Sequence, residues 1–209
     1  MDAKFTTRLP NALMKPRTLA APVATGQVRL IGGAWRGSKL PVPAVAGLRP
    51  TSDRVRETLF NWLHGEIAGA QALDLFAGTG ALGFEAASRG AAAVDLVENA
   101  PPAVEALRIA AARLGRDGSG GTVRVHPQSA LSFLAANSGP WDLVFVDPPF
   151  AAGVWAEALA ALASRLAPRA LVYVESPAGA TASVPAAWAL QREMTTRDVR
   201  AALYRALPD

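Results

Sequence analysis

The chain has 209 residues, 51% apolar and 18% charged, which suits one domain of ordinary size with a small appendage. It has no cysteine and only two histidines, His64 and His126, so disulfides and thiolate metal sites are excluded and no metal centre is expected. The net charge of +4 is uneven: residues 1–56 carry ten Lys/Arg against two acids, residues 57–209 eleven against fifteen, so the basic front either meets a polyanion or is a solvated face.

Residues 1–26 hold Pro10, Pro16, Pro22 and Gly26 among small and polar residues and read as a flexible basic arm. They contain no continuous apolar segment, so a secretion signal is not expected, and no run of about 20 apolar residues exists to span a bilayer. A cytoplasmic protein without membrane contact follows. Val28 to Ile31 is predicted as a strand turned by Gly32-Gly33, with Ala34 to Leu40 returning as its partner. Arg29, Arg36 and Lys39 with an exposed Trp35 would form a small nucleic-acid platform, cations for phosphates and a ring for stacking. Alternatively, Trp35 packs the hairpin onto the body. Pro41 to Pro50 is a connector. Thr51-Ser-Asp53 caps a helix to about His64 with Val55, Leu59, Trp62 and Leu63 on one face. Arg49, Arg54 and Arg56 lie where they can reach RNA, or are solvated.

The stretch from Ala72 to Gly83 organises the rest. An apolar run containing Asp74 leads through Phe76, Ala77, Gly78, Thr79 and Gly80 into an Ala-rich helix ending near Arg89. A strand entering a helix through glycines cradles a nucleotide-like ligand. Gly78, Gly80 and Gly83 match the dinucleotide fingerprint, and Glu98 stands where a ribose-binding acid is expected. S-adenosylmethionine is the other candidate. A carboxylate at Asp74 suits its sulfonium better than it suits a pyrophosphate.

The body then alternates. Strands are predicted at 72–76, 93–98, 122–126, 141–146 and 170–175, with helices at 80–89, 101–114 (capped by Asn99), 129–136 and 154–166. Two extended stretches, 188–194 and 198–207, read as a closing antiparallel hairpin. The fold class is therefore α/β, a doubly wound, mostly parallel seven-stranded sheet with an N-terminal hairpin-and-helix extension at 27–65 and a catalytic domain at 66–209. Ligands in such a sheet sit beyond the carboxyl ends of the strands. There the sequence offers the glycine turn, Glu98 for ribose hydroxyls, Ser129 and Ala130 for an adenine edge, and Asp147-Pro148-Pro149-Phe150. Two prolines after an acid stiffen the turn and delete two N–H donors. The Asp147 carboxylate and Pro148 carbonyl can hold both protons of an exocyclic amine, and Phe150 offers a face for a flipped base.

These residues resemble the class I S-adenosylmethionine-dependent methyltransferases. Arg29 to Pro41, Leu48 to Leu63, the glycine turn, Phe145 to Phe150 and Tyr173-Val-Glu-Ser176 resemble one bacterial family, the 16S ribosomal RNA (guanine-N2)-methyltransferases. The resemblance implies that Asp147, Pro148, Pro149 and Phe150 hold the target guanine. It gives the methionine part of the cofactor to Asp74 and the turn from Phe76 to Gly80, the ribose to Glu98 with Asn99, and the adenine to Ser129 and Ala130. Arg49, Pro50 and Thr51 would close the cofactor site. Ser129 departs from the Asp or Asn common in relatives. A monomer acting on 16S ribosomal RNA, within an assembling subunit or free, is expected. The alternatives are an adenine-N6 methyltransferase of DNA or RNA, a dinucleotide-dependent oxidoreductase, and a non-catalytic RNA-binding protein.

Overall fold

The structure is a computed structural model that describes residues 24–48, 51–149 and 153–207. Arg49, Pro50 and Phe150, assigned above to the site, lie outside the described residues, as does most of the arm at 1–26.

A two-stranded antiparallel sheet, β1 (Ala24–Arg29) and β2 (Lys39–Pro43), precedes helix α1 (Asp53–Trp62). The body follows as β3 (Gln71–Asp74), α2 (Ala81–Ser88), β4 (Ala93–Glu98), α3 (Pro101–Leu114), β5 (Thr122–Pro127), α4 (Ala130–Ala136), β6 (Trp141–Val146), α5 (Trp155–Ala163), β7 (Leu166–Pro177), β8 (Trp188–Thr195) and β9 (Val199–Ala206). Seven strands form one sheet in the order β5-β4-β3-β6-β7-β9-β8, with β9 antiparallel to both of its neighbours. The expected fold is present: a Rossmann-like class I sheet whose order reverses between β3 and β6. Among the described residues, no helix is long and apolar enough to cross a membrane.

Period-two alternation in the strands builds two cores. Ala72, Val94, Leu96, Leu143, Phe145, Leu171 and Tyr173 share one core with α1, α2, α3 and Trp35. Leu73, Leu75, Val97, Val144, Val146, Val172 and Val174 share the other with α4 and α5. Helix α2 is buried along its whole length, which explains its small residues. Any larger side chain at Gly83 would strike Leu96, 2.2 Å from where its Cβ would stand.

Three local expectations are corrected. The partner strand at 34–40 does not form: residues 32–37 make turns, and pairing resumes at Lys39 because this loop is bonded to α2 instead. The Ile31 and Gly32 amides donate to the Glu85 carboxylate, and Trp35 N–H donates to Ser88 Oγ. Gly33, at φ +74°, passes so close that a Cβ would lie 1.8 Å from the Ser88 carbonyl oxygen. Pro41 to Pro43 belong to β2 rather than to a connector. Helix α3 is capped at Ala100, not Asn99, because the Glu98 carboxylate takes the Asn99 and Ala100 amides.

Candidate active site

The site is built at the carboxyl ends of β3, β4, β6 and β7. Asp74, Glu98, Asp147 and Glu175 share the parity of the residues that pack under α1, α2 and α3, so alternation turns all four acids to one face. Asp74 is buried and its carboxylate accepts the Gly83 N–H at 3.0 Å, in the first turn of α2. Burial, with Glu98 nearby, pushes its pKa up to about 7. Glu98 is held by three backbone amides, accepting from Gly78, Asn99 and Ala100 at 2.8–2.9 Å. Gly78 itself, at φ +52°, faces nothing closer than Leu48 at 3.7 Å, whereas a Cβ on Gly80 would meet Leu107 and Phe84 at 2.6 Å. Gly80 is therefore required by packing, and Gly78 by its backbone turn.

At β6 the chain leaves through Asp147, partly exposed, then buried Pro148 and exposed Pro149. Thr51 donates its hydroxyl to Asp147 Oδ2 at 3.2 Å. Burial and the Glu175 charge hold the Asp147 carboxyl well above the usual carboxylate range. Glu175, on β7, is buried and accepts from the Tyr173 hydroxyl at 2.8 Å; burial raises its pKa too. Among the described residues, none of Asp74, Glu98, Asp147 and Glu175 has a salt bridge to a cation. Four carboxyl groups at one end of the sheet without a counter-charge suit a positive ligand, whose charge would favour their ionised forms.

This arrangement also bears on the glycine turn. The α2 amide that a pyrophosphate would use at Gly83 is already taken by Asp74. An anion beside Gly83 would meet the Asp74 carboxylate. Among the described residues, no group of acids and histidines could hold a metal ion.

The 178 residues from 28 to 205 match the family model described as conserved hypothetical protein 95. The chain is 49% identical over 184 residues to ribosomal RNA small subunit methyltransferase D of Escherichia coli K12, covering 87% of this chain and 91% of that protein.

The chain belongs to this methyltransferase family.

A further member, ribosomal RNA small subunit methyltransferase D of Haemophilus influenzae, is 42% identical over 193 residues, covering 90% of this chain and 99% of that protein. The solved structure of the putative methyltransferase yhhF from Escherichia coli superposes with a TM-score of 0.78 at 47% identity, covering 87% of this chain and 99% of that one.

The expected site residues divide into those at the strand ends and those turned to other tasks. Thr51, Asp74, Phe76, Ala77, Gly78, Thr79, Gly80, Glu98, Asn99, Asp147, Pro148 and Pro149 lie on the β3, β4 and β6 ends or against them. Ser129 caps α4: its Oγ accepts from Ser132 N–H at 3.2 Å and donates to Ser132 Oγ. That hydroxyl caps the helix but is exposed and keeps one lone pair, whereas the Ala130 side chain is buried.

Of the expected RNA contacts, Arg29, Arg36, Lys39 and Arg54 are exposed. Trp35 and Arg56 are not. Trp35 is only 5% exposed, packs edge-on to Phe84 and donates its Nε1–H to Ser119, so the stacking role is overturned by burial. Arg56 is fully buried, donating to the Arg29 carbonyl and Asp53 beside Glu85, so it cannot reach RNA. Sequence reasoning missed two features. Glu175 stands at a fifth strand end, a position the alternation of acids could have flagged. Arg113, whose Nη2 donates to the Lys39 carbonyl, joins α3 to the basic hairpin.

Proposed function

We propose that the chain transfers a methyl group from S-adenosylmethionine to the exocyclic N2 amine of one guanine in small-subunit (16S) ribosomal RNA. The observation that carries the reading is the pairing of a donor-poor Asp147-Pro148-Pro149 corner with neighbouring carboxylates that lack any described cation. Acceptor groups without counter-charges fit a ligand bearing both a positive centre and free hydroxyls. When bound, S-adenosylmethionine supplies an electrophilic methyl group on a sulfonium. Asp74 and the turn from Phe76 to Gly80 hold its amino-acid end. Glu98, fixed by three amides, keeps lone pairs for ribose hydroxyls.

The amine of guanine is a weak nucleophile because its lone pair spreads into the ring. The Asp147 carboxylate and the Pro148 carbonyl accept its two protons and draw the nitrogen toward a pyramidal form. Thr51 keeps the carboxylate from swinging. The remaining gain is proximity and alignment. Once the nitrogen carries a fourth bond it must shed one proton, and the Asp147 carboxylate takes it. The exposed cations Arg29, Arg36, Lys39 and Arg54, with Arg113 bonded to the Lys39 carbonyl, neutralise RNA phosphates.

The test is nucleoside mass spectrometry of small-subunit ribosomal RNA after incubation with the protein and methyl-labelled S-adenosylmethionine. N2-methylguanosine is expected. Labelled N6-methyladenosine would move the target to the alternative amine, and no labelled nucleoside would sink the reading.

A further inference from the structure

Glu175 is a buried carboxylate that the mechanism above does not use. The β6–β7 register pairs Val146 with Val174, so Asp147 and Glu175 follow side by side on neighbouring parallel strands. Tyr173, two residues before Glu175 and on the same face, donates its hydroxyl to Glu175 Oε2 at 2.8 Å and fixes the carboxylate. The other oxygen, Oε1, accepts no hydrogen bond from the described residues. Glu175 is 5% exposed, and its charge helps to raise the Asp147 pKa, so the two carboxyl groups stand close together.

We propose that Glu175 selects the base by accepting the N1–H of guanine while Asp147 and Pro148 hold N2. The inference rests on the guanine-N2 reading and deepens it. The edge of guanine presents adjacent donors, N1–H and N2–H₂. Adenine presents its amine beside N1, a bare acceptor. Two acceptors side by side match the first edge and oppose the second, because a carboxylate facing the N1 lone pair pairs with nothing. A site built to receive a hydrogen rejects an analogue that lacks it, since its own buried polar group is left unsatisfied. The selection is made by a neighbouring strand, not by the catalytic corner itself.

The experiment uses the full chain and 16S ribosomal RNA carrying either guanine or 2-aminopurine at the methylated position. 2-Aminopurine keeps the C2 amine but has no hydrogen on N1. The wild type should favour guanine in kcat/KM by on the order of a hundredfold. In Glu175→Gln the amide can donate to a bare N1 as well as accept from N1–H, so that ratio should fall about tenfold or more. A purely structural role would lower both substrates alike and leave the ratio unchanged, which would overturn the inference. Should Glu175→Gln fail to fold, Tyr173→Phe, which frees the carboxylate, must narrow the same ratio. If the wild type puts no methyl on guanine N2, both the reading and the inference fall; if it does and the ratio stays fixed, only the inference falls.

Discussion

Thr51 and Asp147, 96 positions apart, meet through one hydrogen bond, the threonine hydroxyl donating to the carboxylate at 3.2 Å. The bond ties the segment before α1 to the end of β6. It lowers the Asp147 pKa against the larger upward push of burial and the Glu175 charge. Removing the donor while keeping the shape, as in Thr51→Val, lets that pKa climb further. The acid limb of kcat/KM should move to higher pH, with kcat near neutrality down by about tenfold. A pH–rate series on both proteins checks this; a limb that stays in place would mean that Thr51 does not touch the reacting group.

Asp147→Ala removes the acceptor for the target amine. Turnover should drop by about a thousandfold or more, as expected when a group aligned with the reacting atoms is lost. Cofactor affinity, read by calorimetry, should change less than about threefold, because Asp74 and Glu98 stay as they were.

Asp74 links cofactor binding to protons. Its pKa near 7 means that the free protein holds a proton there below neutrality. A cationic ligand favours the ionised form, so binding releases a proton, and affinity should rise with pH up to about 7 and then level off. Calorimetry in buffers of different ionisation enthalpy measures the released proton. Stability follows the opposite sign. Between about 4 and 7 the folded chain keeps a proton that the unfolded chain has lost, so the Asp74 contribution to stability falls as pH rises through that window. Asp74→Asn keeps an acceptor for the Gly83 amide and carries no charge. Without ligand at pH 8 it should be more stable than the wild type by on the order of 3 kcal/mol, while binding S-adenosylmethionine more weakly. Thermal melts and titrations of the same samples check both halves.

The basic hairpin separates binding from stability. Reversing Arg29, Arg36 and Lys39, all exposed, should weaken RNA affinity and flatten its salt dependence by roughly 0.7–0.9 in log–log slope for each phosphate left without its cation. The melting temperature should hardly move. Trp35→Ala and Arg56→Ala should do the reverse. The first empties a packed site under Phe84, at a cost of about 3–5 kcal/mol. The second removes a fully buried side chain and its bond to the Arg29 carbonyl, while Glu85 keeps Arg89, at a cost of about 1–3 kcal/mol. Filter binding at several salt concentrations beside denaturant melts would tell the two groups apart.

Whatever was legible in residue order alone was local in origin. Period-two and apolar runs marked the strands of the body, with β4 and β6 at their observed bounds, because a half- or fully buried strand must alternate or run apolar wherever it lies. The Asp74-to-Gly80 turn and the Asp147-Pro148-Pro149 corner were legible for the same reason: glycine and proline impose backbone geometry without help from distant residues. Packing in three dimensions settled the rest. Arg56 reads as a surface group, and Trp35 as either a stacking face or a packing anchor, until Glu85, Ser88 and Ser119, residues far along the chain, bury both. The second task of Ser129, capping α4, shows only in the fold. The placement of Glu175 beside Asp147 comes only from the parallel register of β6 and β7. Burial and pairing depend on which strands become neighbours, and a side chain's own residue type carries no record of that.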